Sequence, residues 1–385
     1  MLLRDLPRRA VVPVLAVVTA LLLSAIVIVL TDFEHLRGIG TDPVAAIGGA
    51  IGTMLRGYGA MLSGAVGDPG RVVAAIQSGD ARDIASAIRP ITETLVAATP
   101  LIFVGLALTI SFRAGLFNLG GDGQFLIGGL GATAAALVLH GHLPASIVLL
   151  VALVAGALSG AAYGFIPGFL KARTSAHEVI TTLMLNAIAP EIVVFTLRSG
   201  AFSGSLAPIA DVPLVFDLPA IRLDWGIAVA LLMAAAVSFL LFRTALGFEL
   251  RSTGFSSTAA RFAGMRPGRT TILAMTLSGG LAGMAAAFVT LGPGGQLSGP
   301  GGIGFIAVGL ALLAGLRPSG VVLAALLFGA LDTGAKSMVI ETRIPLALLV
   351  IFIAFAMTFV AAPGLTRSIW RVKQPSPEPV ATTSR

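Results

Sequence analysis

From Thr270 to Leu316 the chain contains no Asp, Glu, Lys, Arg or His. Five further uncharged stretches are comparably apolar: Val11–Thr31, Thr94–Phe112, Leu143–Leu170, Trp225–Phe242 and Ile344–Thr366. A helix needs roughly 18 or more such residues to cross a hydrocarbon core about 30 Å thick. A soluble protein of this length has too little interior to hide so many. The chain therefore reads as an all-α polytopic membrane protein.

Composition agrees and excludes other classes. Charged residues make up 11% of the chain, against about 25% in ordinary soluble domains. With 47 Gly but only two Trp and two Tyr, the helices are expected to pack through small residues rather than bulky aromatics. The net charge of +7 lies in short loops, with no basic stripe interleaved with aromatics, so a nucleic-acid partner is not expected. The absence of Cys removes disulfides, thiolate nucleophiles and Cys-based metal sites. The first apolar run follows Arg4, Arg8 and Arg9; its length and lack of a small-x-small cleavage site read as a retained span, not a leader.

Hydropathy and charge place about ten spans, at residues 10–31, 91–112, 122–140, 145–168, 178–197, 225–243, 271–291, 303–316, 319–334 and 344–363. With the N-terminus inside, the basic loops carrying Lys171 and Arg173, then Arg243, Arg251, Arg261, Arg266 and Arg269, then Arg367, Arg371 and Lys373, all fall on the cytoplasmic side. That is the positive-inside pattern, and it predicts both termini in the cytoplasm. Residues 45–66 contain Arg56 near their middle and read as a re-entrant or an interfacial helix. Residues 71–89 read as one amphipathic surface helix with Val72, Val73, Ile76, Ile84 and Ile88 on its apolar side. Residues 1–372 are taken as one transmembrane domain and 373–385 as a disordered cytoplasmic tail.

The pattern also repeats. Span two runs into a Gly-rich turn (Gly115 to Gly123), then span three, a loop with Pro144, and span four. Span seven runs into a second Gly-rich turn (Gly292 to Gly304), then span eight, a loop with Pro318, and span nine. The two sets, spans 2–5 and 7–10, start on opposite sides of the membrane, the arrangement of inverted repeats in transporters.

Catalytic motifs fail on inspection. No phosphate-binding Gly-x-x-x-x-Gly-Lys-Ser/Thr occurs; Gly334-Ala335-Lys336-Ser337 lacks the Gly before Lys. His177-Glu178 lacks the second His of a zinc-protease helix, since Thr181 occupies that position. No enzyme activity and no cofactor are expected. Two carboxylates lie within spans, Glu191 and Asp332, but no span pairs acids at helical spacing, which gives a proton relay little support. Glu93, Asp122 and Glu178 sit at helix starts, where a carboxylate offsets the helix dipole. The loop Arg243–Arg269 is long enough for docking, and Ser257 to Gly264 can form two short helical turns ended by Gly.

These residues carry a family resemblance. Ala259-Ala260 followed by Gly264 resembles the Ala-Ala-x-x-x-Gly core of the coupling helix of ATP-binding-cassette (ABC) permeases, with Thr258 where Glu is usual. Gly115-Leu116-Phe117-Asn118-Leu119-Gly120-Gly121-Asp122-Gly123-Gln124 resembles the Gly-x-Phe-Asn-Ile-Gly-x-Glu-Gly-Gln signature of nucleoside-type permeases. Thr99-Pro100-Leu101, Glu178-Val179-Ile180, Met184-Leu185-Asn186 and Gly304-Phe305 through Val308 are similar too, so the resemblance covers about residues 90 to 360. The Gly292-Pro293-Gly294-Gly295 insertion departs from it and leaves that loop's geometry open.

The resemblance implies a permease subunit of the branched-chain amino acid, simple sugar and nucleoside importer branch, in the cytoplasmic (inner) membrane. It implies an ABC ATPase subunit on the cytoplasmic side, a second permease (a paralogue or a second copy) and an extracytoplasmic substrate-binding protein. Ser257, Thr258, Ala259, Ala260, Arg261 and Gly264 would couple to the ATPase. Asn118, Asp122, Gln124, Glu178 and Asn186 are candidates for the substrate pathway. An ion-coupled secondary transporter of small polar solutes is the alternative.

Overall fold

A computed structural model describes residues 8–199, 221–292, 302–342, 351, 354–355, 358–359 and 362–372. The described secondary structure is helical apart from an isolated bridge residue, Asp224, and eight of the described helices are long and apolar enough to cross a membrane. The chain divides into two compact units, Met1–Met54 with Ile344–Arg385 and Leu55–Arg343.

In the first unit, α1 (Arg8–Thr31) is the first candidate span. The short α2 (Phe33–Leu36) starts at Asp32, whose carboxylate accepts from the His35 backbone N–H and lies 2.9 Å from His35 Nδ1. Burial pushes the Asp32 carboxyl up, but the hydrogen bonds from His35 prevail and hold it below its usual range. The C-terminal helix Pro363–Trp370 is pinned to α1 by Trp370 Nε1, which donates to Thr19 Oγ1 at 2.7 Å. Helix α3 (Pro43–Val66) is one uninterrupted helix of 24 residues.

The second unit begins in the later part of α3. Asp68 and Pro69 start α4 (Pro69–Ser78), with the Asp68 carboxylate accepting from Gly70 N–H at 2.8 Å. Gly79 ends it at φ +67°, a left-handed conformation that glycine adopts without steric cost. Asp80 then caps α5 (Ala81–Arg113). The single surface helix expected over 71–89 is thus two elements, and residues 81–89 belong to the same helix as span two. Ala75, Ala85 and Ala87 supply the buried positions in this region.

Helices α6 (Gly121–Leu139), α7 (Ala145–Thr174), α8 (Glu178–Arg198), α9 (Gly226–Arg243), α12 (Pro267–Leu291) and α14 (Pro318–Thr342) match spans three to seven and nine. Two short helices, α10 (Ala245–Phe255) and α11 (Ser257–Phe262), lie between α9 and α12. Span eight differs. Helix α13 (Ile303–Leu313) has 11 residues, about 16 Å at 1.5 Å per residue, long enough to cross only about half of a hydrocarbon core about 30 Å thick. Most of span ten, most of the loop 198–224, the Pro293–Gly295 part of the insertion and the tail from residue 373 lie outside the described residues.

Two helices organise the unit. Helix α5 packs on α13 and α14, while α12 packs on α6 and α7, and the two touch each other. The first helix of each set therefore contacts the second and third helices of the other, the reciprocity expected of a repeat. Phe103 of α5 stacks on Phe288 of α12 with ring centroids 5.7 Å apart. Around Phe103, α5 buries Ile102, Leu106, Leu108 and Ile110 almost completely.

The α7–α12 seam is built without large side chains. Gly156, Gly160, Gly164 and Gly168 recur every fourth residue on α7 and meet Gly279, Gly283 and the α12 backbone near Met275 and Ile272. Lipid tails are as apolar as Leu, so membrane helices associate chiefly by close van der Waals packing, which small residues permit. A Cβ on Gly160 would strike the Gly279 carbonyl oxygen and lie 2.9 Å from Gly283 Cα. Gly160→Ala is expected to destabilise the packed chain by about 1–3 kcal/mol, read as a lower melting temperature of the detergent-purified protein.

Candidate functional site

Among the described residues, the turn between α5 and α6 is the most densely hydrogen-bonded polar region inside the helix bundle. Asn118 is fully buried (0% exposed). Its Oδ1 accepts from Gly120 N–H at 2.8 Å, closing a local turn of the kind Asn side chains favour. Its Nδ2 donates to Gln124 Oε1 at 3.1 Å and to Ser278 Oγ of α12 at 2.9 Å. Gln124, one turn into α6, is buried with it.

Asn186 of α8 completes the bracket. Its Oδ1 accepts from Gly123 N–H at 2.8 Å, and its Nδ2 donates to the Leu119 carbonyl at 2.6 Å. Thr182, one turn earlier, accepts from Leu119 N–H at 3.3 Å. Asp122 reaches the other repeat: its Oδ1 accepts from Gly304 N–H, in the first turn of the half-helix α13, at 2.7 Å. The first N–H groups of a helix have no partner within it, and here side chains from neighbouring helices supply two.

Four of the five pathway candidates, Asn118, Asp122, Gln124 and Asn186, thus converge on the start of α6. They tie it to α8, α12 and α13. Glu178 lies apart: its carboxylate pairs with Lys171 at 2.8 Å, clasping the α7–α8 connection. Sequence reasoning did not single out Ser278 or Thr182, and it gave Gly304 as a motif residue without its partner Asp122. Ser and Gly are too common in this chain for a single one to stand out, and only the fold brings them to Asn118 and Asp122.

The loop between α9 and α12 has its own order. Thr244 caps α10, accepting from Gly247 N–H at 3.1 Å. Ser256 caps α11, accepting from Ala259 N–H at 3.2 Å. Gly264 at φ +82° ends it, with Met265 N–H returning to the Ala260 carbonyl at 3.0 Å. The expected pair of helical turns closed by glycine is present.

Its faces are less even than the Ala-Ala pattern suggests. Ala260 is only 3% exposed and faces inward, whereas Ser257, Thr258, Ala259, Arg261 and Gly264 are exposed. The most exposed large hydrophobic side chains here are Phe255 at 95% and Phe262 at 90%. Nothing in the small-residue pattern points to these two rings.

The two regions touch. Gly254, near the end of α10, lies against the backbone of Arg113, Ala114 and Gly115, where the signature turn begins. Gly115 has φ +75°, and a Cβ on it would stand 2.9 Å from Gly254 Cα. Beside this contact, Arg113 and Arg251 both lie over the Phe242 ring, at 5.6 and 5.3 Å from its centroid. Arg113 Nε also donates to the Leu316 carbonyl, at 2.9 Å, just after α13. A displacement of α10 and α11 therefore has a direct steric route to the signature turn and to the end of the half-helix.

Apolar spans, a half-length helix and a polar bracket at a helix break together define a multi-pass membrane protein of transporter architecture. The chain belongs to the family of branched-chain amino acid transport system permease components, whose model matches residues 91–362. It is 38% identical over 292 residues to the guanosine ABC transporter permease protein NupP of Bacillus subtilis (strain 168), covering 72% of this chain and 82% of that protein. It is 29% identical over 348 residues to the nucleoside ABC transporter permease protein NupB of Lactococcus lactis subsp. cremoris (strain MG1363), covering 86% and 85%. A glucose ABC transporter permease protein of Haloferax volcanii is 33% identical over 292 residues, 70% of this chain and 75% of that one. Permeases of this class work with an ABC ATPase subunit and a substrate-binding protein.

The bracket carries a first functional expectation. Asn118→Ala removes the donor to Ser278 and Gln124 and the acceptor for Gly120, leaving buried partners unsatisfied at about 1–3 kcal/mol. The variant is expected to insert and to assemble, with transport reduced about tenfold or more. Unchanged uptake kinetics would remove Asn118 from the mechanism.

Proposed function

We propose that this chain is the membrane-spanning subunit of an ABC importer that carries nucleosides, or a related small polar solute such as a simple sugar, into the cytoplasm. The observation that carries the reading is the 38% identity to a guanosine permease across 72% of the chain. The α5–α6 turn, whose signature residues form the buried bracket, lies within the family match. The exposed face of α10 and α11, with Ser257, Thr258, Ala259, Arg261, Gly264, Phe255 and Phe262, seats in the ATPase, and Ala260 holds α11 to the body of the permease. ATP hydrolysis belongs to that partner. Each ATPase cycle moves α10 and α11, and Gly254 passes the movement to Gly115.

The bracket residues Asn118, Asp122, Gln124 and Asn186 shape the pathway by fixing where α6 and α13 begin, since their polar groups are already occupied by neighbouring helices. Glu178 sets the α7–α8 connection through Lys171. The pathway lies between this chain and a second permease, a paralogue or another copy. Both termini are cytoplasmic, and the binding protein docks on the opposite side.

Uptake of radiolabelled guanosine by cells expressing the chain with its ATPase and binding protein tests the reading, with unlabelled nucleosides and glucose as competitors. Nucleosides are expected to compete and glucose to compete weakly. Reporter fusions after Thr253 should read inside and after Pro208 outside. An inside signal at Pro208 would overturn the placement of the docking loop.

A further inference from the structure

Of the eight candidate spans among the described residues, α8 is the least covered by the rest of the chain. Its contacts are with α6 and α7, through the buried Thr182, Ala189 and Val193. The opposite face is an exposed stripe at helical spacing: Ile180, Met184, Ile188, Glu191, Phe195 and Arg198. Glu191 sits within it, about 20 Å along the helix from Glu178 and about 10 Å from Arg198. No hydrogen bond or ion pair to the Glu191 carboxylate is found among the described residues.

An ionised carboxylate is strongly unfavourable against lipid, and intramembrane acids almost always face protein or water. By that rule the α8 stripe around Glu191 is expected to face protein or water rather than lipid. Pro190 adds a second feature: lacking an N–H, it leaves the Asn186 carbonyl without its intrahelical donor one turn before Glu191. The same Asn186 holds α8 to the signature turn through its side chain. The carboxylate is thus carried on the helix that the polar bracket positions.

We propose that Glu191 faces the water-filled translocation pathway and accepts hydrogen bonds from the hydroxyl or N–H donors of the passing solute. A carboxylate is an acceptor-only group with about four lone-pair sites, matched to an uncharged, donor-rich molecule such as a nucleoside or a sugar. Its ligand class rests on the importer reading above; its exposure to water does not.

The test uses the absence of Cys in this chain. In the assembled importer, Glu191→Cys and, as a reference on the exposed apolar face of α7, Leu158→Cys are treated with a charged, membrane-impermeant methanethiosulfonate. Modification is read on this chain by mass. Glu191→Cys is expected to react at least tenfold faster than Leu158→Cys, and saturating guanosine should slow it. Glu191→Gln, which keeps one acceptor oxygen but loses the charge, should raise the KM for guanosine about tenfold, as loss of a charge-assisted hydrogen bond does, with subunit co-purification unchanged.

Reaction of Glu191→Cys no faster than Leu158→Cys would overturn the pathway position. Normal guanosine KM in both Glu191→Gln and Glu191→Leu would overturn the contact with solute. A wild-type complex that imports no guanosine while Glu191→Cys is labelled would contradict the nucleoside reading and support the position of Glu191.

Discussion

Replacing Phe255 and Phe262 together by Ala is expected to release the ATPase subunit. Both rings are almost wholly exposed, at 95% and 90%, on a loop whose backbone is fixed by the caps at Thr244 and Ser256 and by the Gly264 stop. Their immobilisation on short capped helices lowers the ordering cost of binding, and aromatic anchors of this kind dominate interface energies. Each is expected to contribute about 2 kcal/mol or more to the contact. Two of them correspond to roughly a thousandfold loss of affinity at about 1.4 kcal/mol per tenfold. The chain itself should insert and fold normally, because neither ring is packed inside it. Co-purification of the ATPase and transport should be lost together; retention of both would mean that the rings face solvent throughout the cycle.

A second substitution should separate binding from work. In Gly254→Val the new side chain meets the Arg113 carbonyl oxygen and the backbone of Ala114 and Gly115. Backbone cannot yield as a flexible side chain can, so α10 must shift away from the signature turn. Overpacking of this sort costs about 1–3 kcal/mol. Because Gly254 lies on the inner side of the loop, the ATPase should still bind through Phe255 and Phe262. The expected result is an assembled complex that hydrolyses ATP but transports at least tenfold more slowly. A variant with wild-type transport per ATP would show that movement does not pass through Gly115.

The sequence made the spans legible because most charges fall in loops, and a run such as Thr270–Leu316 has no soluble explanation. It could not show that span eight is a half-helix. Hydropathy registers that residues 303–316 are apolar, but the start of α13 is set by a bond from Asp122, 182 residues earlier in the chain. The break between α4 and α5 was readable: Gly79 followed by Asp80 is a helix stop beside a helix cap. Apolar periodicity running across 71–89 obscured it.

The site was legible in part, through motif rather than hydropathy. Asn118, Asp122, Gln124 and Asn186 fall in stretches that resemble nucleoside-type permease motifs, and the fold brings these four together. Glu178 looks equivalent in sequence but is drawn to Lys171 instead. In the loop between α9 and α12 the Ala-Ala pattern draws attention to Ala260, which is buried, and away from Phe255 and Phe262. Which face of a six-residue helix points outward depends on how α10 seats it. Local pattern does not carry that information.

The most direct measurement is solute flux in proteoliposomes that contain this chain with its permease partner, ATPase and binding protein. Guanosine movement toward the ATPase side is expected with ATP and Mg²⁺, and none with a proton or sodium gradient in their absence. Gradient-driven uptake by the permease chains without the ATPase would contradict the account and assign the protein to ion-coupled transport.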